Sequence, residues 1–141
     1  METFTINWLA FALGTLAIFM IQAIWFGPKT FYPVWWKAMG KAPTKPEDQD
    51  TSVMGMVRLF GSSFAAALAQ ATVLYLVIFG SGLTLLGGAL AGFALGIVAA
   101  AASLPHRLFG QQGSKVWIIE VGADVVALTA AGAIMSTFIA A

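Results

Sequence analysis

The chain has 141 residues, 60% of them hydrophobic and only 9% charged, with a mean hydropathy of +0.88. A soluble domain of this size cannot hide so much apolar surface, so lipid is its expected solvent and the bilayer its first partner. A net charge of +1 excludes the concentrated basic face that nucleic acid requires, and the absence of cysteine excludes disulfides, thiol catalysis and thiolate metal sites.

The first apolar segment runs over residues 6–26, long enough at about 20 residues to cross the hydrocarbon. Glu2 in place of a basic cluster, and no small-residue cleavage site, argue that it is a retained span and not a signal peptide. Trp8 near one end and Trp25 near the other suit the two membrane interfaces.

Residues 27–55 form the first loop. Phe31, Val34, Trp35 and Ala38 recur at helical spacing, with Pro33 suited to a first turn and Gly40 to an exit, which predicts a short interfacial helix lying on the bilayer. Farther on, Thr44 and Glu47 have capping-box spacing, and Glu47, Asp48 and Asp50 suit the positive end of a helix, so the second helix is expected to start well before the hydrocarbon.

The second span covers residues 56–79 and the third 83–104, separated by Gly80-Ser81-Gly82, whose tolerance of unusual backbone angles predicts an antiparallel hairpin. Gly88, Gly92 and Gly96 place small residues at every fourth position of the third span. Such a groove admits another helix at close range: the first or fourth span of this chain, or the same span of a second copy. A loop over residues 105–115 precedes the fourth span, 116–140.

The fold class that follows is an all-α integral membrane four-helix bundle forming a single domain. Every lysine and arginine falls in the two loops or at their margins: Lys29, Lys37, Lys41, Lys45, Arg58, Arg107 and Lys115. By the positive-inside rule these loops are cytoplasmic and both termini are on the other side.

A charge inside a span costs about 2.5–3.5 kcal/mol by insertion scales and calls for a reason. Glu120 and Asp124 lie four residues apart on the fourth span, hence on one face, and that face continues through Ala127 and Ala131. Asp124 is the deeper, and the pair is the candidate proton or cation site. Gln22, Ser62, Ser63 and Gln70, with Arg58, His106 and Arg107 at the mouth, are the candidate lining of a cytoplasm-facing polar pocket. Pairing of Glu120 with Arg58, Arg107 or Lys115 makes that carboxylate structural instead. His106 alone cannot build a metal site, and Met54 with Met56 makes only a poor copper(I) site. No metal and no cofactor is expected.

Ile24-Trp25-Phe26-Gly27-Pro28, then Phe31 and Trp35-Trp36-Lys37-Ala38-Met39-Gly40, form a signature. A second one comprises Leu108-Phe109-Gly110, Lys115-Val116-Trp117-Ile118-Ile119, Gly122 and Gly132-Ala133-Ile134. Together they resemble the bacterial membrane proteins grouped as domain of unknown function 1761. The resemblance implies a small four-helix protein of the bacterial inner membrane with no assigned activity. Family members carry aromatic or histidine residues near the positions of Ala123 and Asp124, so the acidic site is a departure from that pattern.

Three functions compete on these grounds. A homo-oligomeric channel or carrier would use Asp124 and Glu120. A non-catalytic accessory subunit would pair the carboxylates off, in keeping with spans that lack polar residues through their outer halves. A lipid-modifying enzyme ranks last, because neither a nucleophile with a base nor a phosphate-binding loop is visible. The substrate is not specified by any residue pattern.

Overall fold

The computed structural model describes residues 4–40 and 52–140. Among these residues five helices follow one another: α1 (Trp8–Trp25), α2 (Tyr32–Ala38), α3 (Val53–Ser81), α4 (Leu85–Phe109) and α5 (Gly113–Ala140). Four of them, all but α2, are long and apolar enough to cross a membrane, and no strand occurs among the described residues. The chain is an all-helical bundle of membrane-spanning helices.

Each boundary has a local cause. Asn7 caps α1, its Oδ1 accepting from the Ala10 amide at 3.0 Å, and the Ser52 hydroxyl does the same for Gly55 at 3.0 Å in α3. α3 therefore starts three residues before the predicted span, while the acidic segment expected to lengthen it further lies outside the described residues. Gly82, at φ +61°, ends α3 in the left-handed conformation and turns the chain toward α4.

The predicted loop 105–115 is corrected to the short turn Gly110–Gln112. α4 continues through Pro105 to Phe109, and α5 starts at Gly113. A proline inside a helix removes one backbone hydrogen bond, a loss that side chains can offset. The carbonyl that Pro105 leaves free is that of Ala101; one residue earlier, the Trp117 Nε1 donates to the Ala100 carbonyl at 2.9 Å and ties α5 to this turn of α4.

α5 is the central helix. It packs most closely along α4, then α1, and more lightly on α3. The α4–α5 seam is built from glycine: a Cβ at Gly92 would collide with the Leu128 carbonyl, one at Gly88 with Ser136 and the Gly132 carbonyl, and one at Gly96 would stand 2.8 Å from the Val125 Cα. The glycine groove thus takes the fourth span of its own chain. Sparse contact between α3 and α4 is the other defining feature. The two are joined by a tight turn as predicted, yet they diverge, leaving a gap floored by α5.

The buried core is made of Ile18 from α1, Leu74, Tyr75 and Ile78 from α3, and Ala127, Ala131 and Met135 from α5. At the end away from the basic residues, the Asn7 amide donates to the Tyr75 hydroxyl oxygen at 2.7 Å, and its Nδ2 donates to the Phe138 carbonyl at 3.0 Å. One side chain and its backbone thereby join α1, α3 and α5.

Candidate functional site

Near the basic end, α5 carries Glu120 and, one turn deeper, Asp124, about 16 Å along the axis from Gly113. Their partners differ in kind. The Arg107 Nε stands 2.6 Å from Glu120 Oε2, and the Trp35 Nε1 donates to Glu120 Oε1 at 3.0 Å. Arg107 in turn donates to the Gln112 side-chain oxygen at 2.6 Å. Glu120 therefore ties α2, α4 and α5 together as a charge-assisted cluster, the structural pairing named above, with Arg107 as the partner.

Asp124 has no cation beside it among the described residues. Its Oδ1 accepts from the Gln22 amide nitrogen at 2.7 Å, a bond from α1 to α5. It also faces the gap between α3 and α4, a recess of about 390 Å³. Gln70 reaches into the same recess, and its Oε1 is buried without a hydrogen-bond partner. The walls are apolar: Ala69 and Val73 from α3, Leu95 and Ala99 from α4. Ala69, Val73 and Ala99 are exposed, so the recess opens sideways through the outer surface of the bundle.

The sequence-selected residues thus separate into three groups. Gln22, Gln70 and Asp124 come together, as do Glu120 and Arg107. Ser62 and Ser63 do not join them: both are exposed and bond back to the Leu59 carbonyl of their own helix, at 3.0 and 2.7 Å. Arg58 and His106 are exposed near the basic end, and Met54 and Met56 are exposed as well.

Two tryptophans that were assigned only to interfaces hold the site in place. Trp35 binds Glu120, and Trp25 donates to the Ile119 carbonyl at 2.9 Å while stacking on Phe31 with ring centres 4.4 Å apart. Gly122 admits the Trp25 ring, since a Cβ there would lie 2.9 Å from it. The predicted interfacial helix is present as α2, and it packs against α5 as well as occupying the end of the bundle. An indole N–H with no partner in its own helix was the available signal for these contacts.

Neither a curated protein nor a solved structure matches the chain. A family model does, over residues 9–136, and it takes in both aromatic signatures, the glycine seam and the recess. The chain belongs to the family described as protein of unknown function (DUF1761).

Proposed function

We propose that this chain is a proton- or cation-handling membrane carrier, with Asp124 as the loading group. The observation that carries the reading is the contrast between the two carboxylates. Glu120 is committed to Arg107 and Trp35, whereas among the described residues Asp124 has a neutral amide for a partner and a recess that reaches the bundle surface. A carboxylate within a membrane span and without a countercharge is a functional site by default.

A carrier accounts for the interior better than a fixed pore. Beyond Asp124 the α5 face continues as Ala127, Ala131 and Met135 in a core with Ile18, Leu74 and Ile78, and the buried hydroxyls of Thr15 and Ser136 bond back to carbonyls of their own helices. Passage to the other side therefore requires movement of helices, or a second copy completing the path. Of the spanning helices that pack together, α3 and α4 are the most weakly joined pair, so movement there breaks few contacts. With the basic end cytoplasmic by the positive-inside rule, the Glu120 cluster stands between Asp124 and the cytoplasm in the inner membrane.

The same apolar seal favours a second reading, an accessory subunit in which Asp124 and Gln22 merely join α1 to α5. Proton and cation flux into liposomes separates the two. Asp124→Asn keeps an oxygen that accepts from Gln22 but loses the charge, so flux should fall at least tenfold with thermal stability retained. Equal flux in both proteins, or none from either across pH and several cations, overturns the carrier reading.

A further inference from the structure

We infer that the recess between α3 and α4 is a binding site for an organic ammonium ion with a compact apolar body, entering from the lipid side. This rests on the carrier reading of Asp124 and names the class of molecule carried.

The polar lining of the recess comes from two side chains, Asp124 and Gln70. Asp124 supplies a carboxylate, and Gln70 supplies a buried Oε1 that nothing in the described chain satisfies. A carboxylate beside a neutral amide, with no protein cation next to it among the described residues, selects a cation that bears N–H groups.

The remaining chemistry does not suit a hard divalent metal ion. Such a cation, calcium for example, takes six to eight oxygens, and the recess offers two polar side chains amid Ala69, Val73, Leu95 and Ala99. These walls instead suit hydrocarbon or an aromatic ring. At about 390 Å³ the space lies in the range of small-molecule sites, far larger than a proton needs. Its lateral opening past Val73 and Ala99 supplies the entry path, one on which the apolar body stays in lipid until the ammonium meets Asp124.

The test uses 9-aminoacridine, a flat aromatic cation with N–H donors, and anthracene, its uncharged counterpart in shape. Each is titrated by fluorescence anisotropy into the full chain in phosphatidylcholine nanodiscs. The cation should bind saturably, at least tenfold more weakly to Asp124→Asn and at least threefold more weakly to Gln70→Leu. Ala99→Phe, at the exposed wall, should abolish binding without touching either acceptor. Equal affinity for both probes, or for wild type and Asp124→Asn, makes the recess a lipid-filled crevice and overturns the inference. Proton flux measured on the same proteins without the amine keeps the two ideas apart. Flux without amine binding defeats this inference alone, and amine binding without flux defeats the carrier reading alone.

Discussion

Glu120 and Asp124 share a helix face but not their partners, and the difference comes from what other helices bring to them. Arg107→Ala strands Glu120, whose side chain is only 18% exposed, with a charge and no cation. Removing one member of a fully buried pair costs about 3–5 kcal/mol, and the 35% exposure of Arg107 reduces this to about 1–3 kcal/mol through solvent screening. Thermal unfolding in detergent should register that loss, and Arg107→Ala combined with Glu120→Gln should recover part of it. No recovery would mean that Arg107 acts through Gln112 and not through the carboxylate. The four-residue spacing made the shared face legible in the sequence. The pairing of Glu120, with Arg107 among its possible partners, was legible too; its second bond was not, because Trp35 lies 85 residues from Glu120 along the chain and reaches it only through the position of α2. Ser62 and Ser63 misled for a related reason: a hydroxyl in a membrane helix can satisfy itself on its own backbone, so polarity at the right depth does not show which way it faces.

At the scale of elements, the α4–α5 seam depends on backbone approach that no side chain permits. Gly92→Ala places a methyl against the Leu128 carbonyl, a backbone group that cannot swing aside, so the helices must separate. Overpacking of this kind costs about 1–3 kcal/mol, and Gly92→Leu should prevent the bundle from forming. Gly61→Ala is the control, because nothing lies within 4 Å of its added Cβ. There the helix-propensity gain of about 0.5–1 kcal/mol should appear as unchanged or slightly raised stability in the same unfolding measurement. Equal effects at the two positions would remove close packing as the cause. The every-fourth glycine pattern was readable without a structure, but its partner was not, since a groove of small residues fits a helix of its own chain or of another equally well. Because α5 fills it, any self-association must use a different surface. Residues 105–109 show the opposite case: the third span was expected to end at residue 104, yet α4 continues through Pro105 to Phe109.

The whole molecule is polar at one end and sealed at the other. Arg107, Glu120, Trp35 and Gln112 crowd the end where α4 turns into α5, while Asn7, Tyr75 and Phe138 close the far end with few charges and a tight apolar core beneath. Four spans bring both termini to one side, and the positive-inside rule predicts that this is the non-cytoplasmic side. The absence of cysteine makes the orientation measurable with minimal substitutions. Ser81→Cys and Ser114→Cys each replace an exposed serine, one at the end of α3 and the other in the first turn of α5. In intact bacterial cells stripped of their outer membrane, a membrane-impermeant maleimide should label Ser81→Cys at once and Ser114→Cys only after the membrane is opened. Labelling of both from outside contradicts the span count between them. The inverse pattern turns the bundle over, and the Glu120 cluster would then separate Asp124 from the exterior, so that the same carboxylate would load from the opposite compartment.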